Sequence, residues 1–318
     1  MNCGRMARWL AMAAGLLLAA GCVLGERAEA PPAPSAETAQ YVGSQVCLAC
    51  HRGATPAIIS RFEQTVMGKV FFQNARTSLE QQNCEACHGP GSAHLAAGGG
   101  KGRGVGPGQM ITFAKDDPTP VDQRNAKCLA CHERRAHLNW QGSPHERNDV
   151  ACTDCHTVME RRSPKAALAQ SNVVEVCAQC HMVKWAQTIR PAHMPIPEGK
   201  MSCTDCHNPH GSTTEAMLKF DSINETCYNC HADKRGPFVW AHPPVEENCE
   251  NCHDPHGTNH FALLKAAPPR LCQRCHTQAG HPSRPMNPAS RHAFNRGCVN
   301  CHARIHGTNN PGGEFFEN

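Results

Sequence analysis

Aromatic side chains are scarce in this 318-residue sequence. Phe, Trp and Tyr together make up 5% of the residues, and only two of them are Tyr. The mean hydropathy is also low, at -0.49. Because large apolar side chains provide most of the surface that a globular domain buries, this composition excludes a conventional hydrophobic core. Something other than side chains must supply much of the buried apolar surface.

Long hydrophobic runs are absent too, apart from one near the start of the sequence. That run, Trp9 to Ala20, follows Arg5 and Arg8. It is shorter than the ~20 residues that a membrane-spanning helix needs. Basic residues before a short apolar run are typical of an export signal. We therefore predict an export signal over residues 1–21, and a mature chain that does not itself cross a bilayer.

Cys22 closes the sequence LAAGC at 18–22, which resembles a bacterial lipobox. In that interpretation Cys22 becomes a lipid-modified N-terminus that anchors the protein to a membrane. Residues 22–40, rich in Ala, Pro and Glu, would then form a flexible tether. The alternative is that Cys22 is lost with a discarded or trimmed signal.

Cysteine, by contrast, is abundant and regularly placed. Twenty of the 22 cysteines form ten copies of the sequence Cys-x-x-Cys-His. In this motif both thiols bond to the vinyl groups of a haem, and the His becomes an axial ligand of its iron. Zinc sites and redox disulfides also use Cys-x-x-Cys, but neither requires a His directly after the second Cys. We therefore predict ten covalently bound haem c groups.

The motifs are numbered one to ten in chain order. Their cysteines, the predicted attachment points, are Cys47, Cys50, Cys84, Cys87, Cys128, Cys131, Cys152, Cys155, Cys177, Cys180, Cys203, Cys206, Cys227, Cys230, Cys249, Cys252, Cys272, Cys275, Cys298 and Cys301. Their histidines, the predicted proximal iron ligands, are His51, His88, His132, His156, His181, His207, His231, His253, His276 and His302.

Ten haems in 318 residues leave about thirty residues for each haem, far fewer than an ordinary single-core domain contains. The expected fold class is a multihaem cytochrome c in which the ten haems form the core. Gly and Pro are frequent, with 26 and 24 residues. We therefore expect a mostly irregular chain with short α-helices and no substantial sheet.

The motifs divide the chain unevenly. Residues 41–97 form a segment with two haem motifs, and residues 98–108 are a Gly-rich run that predicts a loop. The other eight motifs lie in residues 109–318 and open every 22 to 26 residues. Because small units that contact mainly their neighbours form a linear array, we expect an elongated shape.

Basic and acidic residues almost balance, with 31 Lys and Arg against 27 Asp and Glu. Ionised haem propionates would make the loaded protein acidic. We therefore expect no nucleic-acid partner.

The sixth ligand of each iron separates electron transfer from catalysis, since an open position can bind a substrate. Eleven His lie outside the motifs, enough to fill all ten positions. Three of them, His210, His256 and His306, follow a motif too closely to reach the opposite face of the same haem. We expect them to ligate a neighbouring haem. The sequence thus predicts an electron carrier and not an enzyme.

Five segments carry a more specific pattern. They are CEACHGP at 84–90, MITF at 110–113, CTDCHNPHG at 203–211, TCYNCHADKRGP at 226–237 and CVNCHARIHGTNNPGG at 298–313. In this order they are similar to the decahaem cytochromes of the MtrA/DmsE type. The resemblance extends from about Tyr41 to Gly313.

This resemblance implies a decahaem wire inside an outer-membrane β-barrel porin, carrying electrons between the periplasm and the cell exterior. It implies localisation at the periplasm and outer membrane. The implied partners are the porin, an extracellular multihaem cytochrome or reductase, and a periplasmic or inner-membrane cytochrome. Direction stays open, because both respiration of an extracellular metal or other acceptor and inward oxidation of Fe(II) are compatible with it.

The resemblance also implies the distal iron ligands. By family pattern they are His94, His145, His193, His210, His242, His256, His281 and His306. The two remaining family positions hold Met67 and Met159 where His is expected. Because Met is a competent axial ligand that raises the haem potential, we hypothesise that both Met bind iron. The alternatives are that they fill packing gaps, and that His137, His260 or His292 takes the vacant positions.

Two other functions stay open. A multihaem oxidoreductase would need an open haem site, and an extracellular cytochrome filament would polymerise without a porin. The abundance of His argues against an open site, as does the lack of any Cys-x-x-Cys-Lys motif.

Overall fold

A computed structural model describes residues 38–99, 109–276 and 298–316. The chain divides into two units, Met1–Ala33 and Pro34–Asn318, and all described residues belong to the second. Several predicted features lie outside the described residues: the export signal, Cys22, most of the tether, most of the Gly-rich loop, and the candidate ligands His281 and His292. The proposed division of the chain at residues 98–108 stays a prediction.

Short helices provide most of the regular structure, and the longest of those described has 12 residues. The α-helices are α1 Ser44–Ala54, α2 Pro56–Gln64, α3 Val66–Gln73, α4 Ser78–Gln81, α5 Cys84–His88, α6 Ser92–Ala96, α7 Val121–His132, α8 Pro144–Arg147, α9 Cys152–Cys155, α10 Val173–Ala178, α11 Met182–Thr188, α12 Cys203–Cys206, α13 Ile223–Tyr228 and α14 Pro243–Glu247. Single 3-10 turns are Arg135–His137, Ala232–Lys234, Cys249–Asn251, Phe261–Leu263, Cys272–Arg274, Cys298–Asn300 and Gly313–Phe315.

Pairing between extended segments is limited, in the described ranges, to isolated antiparallel bridges. They join His156 to Leu168, Ala192 to Thr258, His207 to Leu218, Trp240 to Thr308 and His253 to Leu264. The prediction of short helices and irregular chain without a sheet is therefore confirmed for these residues. None of the helices described is long and apolar enough to cross a membrane.

Two motif helices begin with the same local capping contact. Asp154 accepts a hydrogen bond from the Ala151 amide at the start of α9, and Asp205 accepts one from the Ser202 amide at the start of α12. A carboxylate in the first turn also interacts favourably with the helix dipole. Both helices end at the motif His, whose backbone is extended. The motif sequence thus specifies one helical turn and a stop.

The apolar core of the described residues is small. Nine apolar residues are buried, and four of them are Ala. In the described ranges, the one side chain that is almost completely buried belongs to a charged residue, Glu85. Large apolar side chains are meanwhile exposed, including Phe261 at 92% and Val183 at 75%. This packing agrees with a core that the polypeptide alone does not complete.

Candidate haem-binding sites

The histidines of the even-numbered motifs share one hydrogen bond. In each, Nδ1–H donates to a backbone carbonyl further along the chain, at 2.6 to 2.8 Å. The pairs are His88 with Ile111, His156 with Ala166, His207 with Ala216, His253 with Ala262 and His302 with Phe315. A proton on Nδ1 leaves the Nε2 lone pair free to bind a metal ion.

The carbonyls that receive these bonds lie on strained return turns. The acceptors Ala166 and Ala262 have positive φ angles of 58° and 57°, as does Phe316, which follows the acceptor Phe315, at 58°; such angles are unusual for residues with a side chain. In motifs four and six the residue after the His also bonds back to its turn: Thr157 donates to Ala167, and Asn208 donates to Met217. Strained backbone held by such contacts is typical of functional sites. The turns therefore fix the orientation of the proximal imidazoles.

First cysteines of neighbouring motifs meet in five pairs. In each pair the two thiols lie within hydrogen-bonding reach of one another. The pairs are Cys47 with Cys84, Cys128 with Cys152, Cys177 with Cys203, Cys227 with Cys249 and Cys272 with Cys298. For example, the Cys84 thiol lowers the pKa of Cys47 to about 7. Each odd-numbered motif is thus joined to the even-numbered motif that follows it.

Second cysteines link these pairs to one another. The pKa of Cys87 is raised to about 11, first by burial and then by Cys128 and Cys131 of motif three. Burial is also the main cause that raises the pKa of the second cysteine of motifs four, six and eight, followed in motifs four and six by the adjacent Asp154 or Asp205, and a cysteine of the next motif adds to it. The neighbours involved are Cys155 with Cys180, Cys206 with Cys230 and Cys252 with Cys275. Every motif therefore lies beside the next one in chain order.

Five motif histidines lie opposite one of the eight candidate distal histidines. Ring centroids are 5.9 to 6.2 Å apart in these pairs. The pairs are His181 with His145, His156 with His210, His207 with His256, His276 with His242 and His253 with His306. Each second member is among the candidate distal ligands.

A constant register relates the members of each pair. His210 follows motif six but lies opposite His156 of motif four. His256 follows motif eight but lies opposite the His of motif six. In the odd-numbered series, His145 follows motif three and lies opposite His181 of motif five. The partner is always two motifs away, backward for the even series and forward for the odd series.

The pairs fit a haem iron. Metal–imidazole bonds are about 2 Å long, so two imidazoles on opposite sides of one metal ion have centroids about 6 Å apart. Among the described residues, no group of three or more His, Cys, Asp or Glu could hold a metal ion without other ligands. A porphyrin would supply the four nitrogens that each pair lacks.

Burial keeps several of the non-motif imidazoles neutral. The pKa of His210 falls to about 4, first because of burial and then because His137 and His156 lie nearby. Burial is also the main cause that lowers the pKa of His242, His256 and His306. Because metal ions bind neutral imidazole, these rings need lose no proton to act as ligands near neutral pH.

The other described candidates are placed differently. His94 has a buried Nδ1 without a hydrogen-bond partner. His193 donates from both ring nitrogens, Nδ1–H to the Arg190 carbonyl and Nε2–H to Glu198, whose Oε1 lies 3.0 Å from Nε2. Neither ring makes a described contact with a motif His. The structure therefore does not pair His94 or His193 with a particular motif histidine.

Two of the spare histidines can also be located. The His137 ring lies 4.1 Å from the His210 ring and 6.1 Å from the His132 ring. His260 contacts Thr258 through its backbone amide and carbonyl. His137 is therefore the spare that lies near a motif imidazole.

Glu85 is a structural residue that the sequence interpretation did not identify. It occupies the first variable position of motif two and is 1% exposed. Its carboxylate accepts hydrogen bonds from the amides of Val42, Gly43 and Gly91. Gly43 directly precedes helix α1, so Glu85 joins motif two to the start of motif one. The acidic residue inside a motif was the only available signal.

Two buried asparagines, Asn125 and Asn224, make a similar connection and were also missed. Each lies three residues before an odd-numbered motif. Asn125 accepts from the Cys152 amide and donates to the Val150 carbonyl. Asn224 accepts from the Cys249 amide and donates to the carbonyls just before it. The repeated spacing Asn-x-x-Cys is a sequence signal for this clamp.

Three glycines after the distal candidates lie against other segments. A Cβ on Gly211 would come within 2.0 Å of the Asn139 carbonyl, and one on Gly257 within 2.1 Å of the Gln187 carbonyl. On Gly307 it would meet the Phe238 ring at 2.2 Å. All three have positive φ. The His-Gly sequence thus allows the chain to approach the segment that follows an earlier odd-numbered motif.

Known multihaem cytochromes are similar to this chain in sequence. The family model for the doubled CXXCH motif matches residues 193–236 and 242–281, and that for the NrfB-like cytochrome c-type protein matches residues 84–180. The multiheme cytochrome MtrA of Shewanella baltica (strain OS185) is 40% identical over 284 residues, which are 86% of this chain and 81% of that protein. The C-type polyheme cytochrome OmcC of Geobacter sulfurreducens is 22% identical over 240 residues, 63% of this chain and 30% of that protein.

The MtrA relative covers most of both chains, which confirms the family predicted from the motif order. The two doubled-motif matches contain motifs six and seven and motifs eight and nine. The chain belongs to the MtrA family of multihaem c-type cytochromes.

Proposed function

We propose that this cytochrome carries electrons along ten haem c groups in the order of its motifs. The observation that supports this most directly is that the cysteines of consecutive motifs lie near one another along the whole described series. First cysteines join motifs within pairs, and second cysteines join one pair to the next. Haems attached to these cysteines would follow one another closely, as electron transfer between cofactors requires. Bound haem would supply reversible one-electron chemistry at its iron.

The distal residues favour a carrier over an enzyme. We propose that the candidate set His94, His145, His193, His210, His242, His256, His281 and His306 occupies sixth positions on haem irons. Five of these rings already lie about 6 Å from a motif ring, a spacing that suits two axial ligands. A sixth position filled by His leaves no site where a substrate can bind the iron.

We further propose that the protein works as a conduit between the periplasm and the cell exterior. Its membership of the MtrA family supports an outer-membrane β-barrel porin as the partner that surrounds it. An extracellular multihaem cytochrome or reductase would contact one end, and a periplasmic or inner-membrane cytochrome the other. Net flow could be outward, to a metal or another acceptor, or inward from Fe(II).

Haem content and ligand binding test the carrier. The purified protein should contain ten haems by pyridine haemochrome assay and intact mass. The reduced protein should bind carbon monoxide slowly and at few haems, because the sixth positions are occupied. Rapid carbon monoxide binding at a large share of the haems, together with turnover of a substrate, would instead establish an enzyme.

Membrane fractionation tests the conduit. A tagged protein should copurify with a β-barrel protein from detergent-solubilised outer membrane. Liposomes containing the purified complex should transfer electrons from an internal dye to an external acceptor. Recovery of the cytochrome alone in the soluble periplasm would contradict the conduit, and recovery as long polymers would favour a filament.

A further inference from the structure

We infer that Met159 and Met67 are the distal ligands of two consecutive haems, those of motifs two and three. The inference rests on the proposed binding of haem by these motifs. It follows from the constant register of the imidazole pairs, because both methionines occupy positions that are equivalent to those of paired histidines. It concerns residues that are His at the equivalent positions of later motifs.

Met159 occupies the same place after motif four that His210 occupies after motif six. Both lie three residues after a motif His, as does His256 after motif eight. The three chain segments have equivalent return turns, in which Ala169, Lys219 and Lys265 donate to the carbonyl of the second motif cysteine at 2.8 Å. These shared contacts identify the position of Met159 as that of a distal ligand.

The contacts of the next residue support the same equivalence. Glu160 forms an ion pair with Arg61 of α2 at 3.1 Å. Helix α2 follows motif one, three motifs before Met159. Gly211, which follows His210, likewise lies against Asn139, in the segment after motif three. The segment that carries Met159 therefore packs against an earlier segment as the one that carries His210 does. The backward register then assigns Met159 to the haem of motif two.

Met67 corresponds to His145 of the odd series. His145 is the second residue of α8, and its N-cap Ser143 accepts from the Glu146 amide at 3.1 Å. Met67 is the second residue of α3, and its N-cap Thr65 accepts from the Gly68 amide at 2.9 Å. Both capping residues are buried. Because His145 lies opposite the His of motif five, two motifs forward, the same register assigns Met67 to motif three.

Motifs two and three are neighbours in space. Helix α5, which contains motif two, contacts helix α7, which contains motif three. The two methionines, far apart in the sequence, would therefore ligate adjacent haems. A thioether ligand raises the haem potential relative to a second His. The two haems would form one local high-potential step near the start of the series, not two isolated exceptions.

His137 is the competing ligand for motif three. Its ring lies 6.1 Å from the His132 ring, close to the spacing of the ligand pairs. However, it also contacts the His210 ring at 4.1 Å, within direct packing distance. We assign it to packing against His210, because the register of the odd series places the ligand two residues into a capped helix. This choice is tested directly by substitution.

The first experiment compares Met67→His, Met159→His and the double variant in the holoprotein. Oxidised wild-type protein should show the red-region absorption band of a thioether–iron bond. Each single variant should lose about half of that band and the double variant all of it, because each methionine ligates one haem. Met182→Leu, at a position that is 66% exposed, should leave the band unchanged.

Redox titration and haem content complete the test. The haem count must remain ten in every variant, and the two highest midpoint potentials should fall in the double variant. Wild-type protein with ten haems but no red-region band would contradict methionine ligation and leave the proposed function standing. Wild-type protein with fewer than ten haems would contradict the proposed function. If only Met159→His changes the band and His137→Ala opens a haem to carbon monoxide, His137 and not Met67 ligates the haem of motif three.

Discussion

His207 and His256 lie with their ring centroids 6.2 Å apart and their planes inclined by 15°, although they belong to different motifs. His207 is oriented by its Nδ1–H bond to the Ala216 carbonyl. His256 lies in the chain segment that follows motif eight. The pair shows that one haem site would be built from two separate parts of the sequence.

Replacing His256 with Ala should therefore open one haem and leave the others intact. We expect carbon monoxide to bind about one haem per molecule in the reduced variant, since only one iron loses its sixth ligand. His260→Ala is the matched control, because the described contacts of His260 involve its backbone. Equal carbon monoxide binding by both variants would contradict the assignment of His256.

Substitution of Gly257 should disturb the same site without removing a ligand. An added Cβ would come within 2.1 Å of the Gln187 carbonyl, and φ is +133°. Gly257→Ala should therefore shift the segment carrying His256 and cost roughly 1–3 kcal/mol. We expect a partly high-spin haem spectrum and weaker resistance to denaturant.

Gly199→Ala provides the control for this variant. Gly199 also has a positive φ, of +69°, but an added Cβ would meet nothing within 4 Å. It should lose some stability from backbone strain and keep a low-spin spectrum. High-spin signals of equal size in both variants would show that strain alone, and not the contact with Gln187, controls the haem site.

The carboxylate of Glu85 should hold motifs one and two together. Glu85→Ala would leave the buried amide of Gly91 and the part-buried amides of Val42 and Gly43 without their acceptor. The expected loss of stability is roughly 2–4 kcal/mol. Hydrogen exchange should accelerate at these amides, while Glu215→Ala, at an exposed position, should leave them protected. Unchanged protection in Glu85→Ala would rule out this clamp.

Asp117 should stabilise the segment that orients His88 down to low pH. Partial burial raises the pKa of its carboxyl, but hydrogen bonds from Thr112 and Thr119 outweigh this and lower it overall. Because the folded-state pKa is lowered, the stabilisation is present above the ordinary carboxyl pKa of about 4 and is lost as pH falls through the lower folded value.

Amide exchange at Thr112 and Thr119 should therefore stay slow when the pH is lowered to about 4. Asp117→Asn should accelerate exchange of both amides at neutral pH, whereas Asp116→Asn, at an exposed position, should not. Loss of protection in the wild-type protein already near pH 5 would contradict the lowered pKa.

Local sequence was sufficient to predict the attachment motifs and the short helices around them. The motif itself specifies one helical turn followed by an extended His, as at Cys203–Cys206. Scarcity of aromatic residues likewise predicted the small protein core. These features depend on neighbouring residues and on composition, so they can be read without tertiary information.

Long-range pairing could not be predicted in the same way. The expectation that His210 reaches a neighbouring haem did not specify which one, whereas the structure places it opposite His156, two motifs earlier. That choice depends on which segments return to each other through contacts such as Gly211 against Asn139. Glu85 was missed for the same reason, because its partners at Val42 and Gly43 are distant in sequence.

The two asparagine clamps offer a test with an internal control. Asn125 binds the Cys152 amide at 2.8 Å, and Asn224 binds the Cys249 amide at 2.7 Å. Removing either side chain leaves a part-buried amide without its acceptor, at a cost of roughly 1–3 kcal/mol. Asn125→Ala should therefore speed hydrogen exchange at Cys152 and not at Cys249. Asn224→Ala should have the reverse effect.

Reciprocal results would show that each clamp acts on its own pair of motifs. This is expected because each asparagine accepts a hydrogen bond from the even-numbered motif that follows its own helix, α7 or α13. If either variant accelerated exchange at both cysteines equally, the pairs would unfold as one cooperative unit. The clamps would then stabilise the whole array, and the independence of the motif pairs would be disproved.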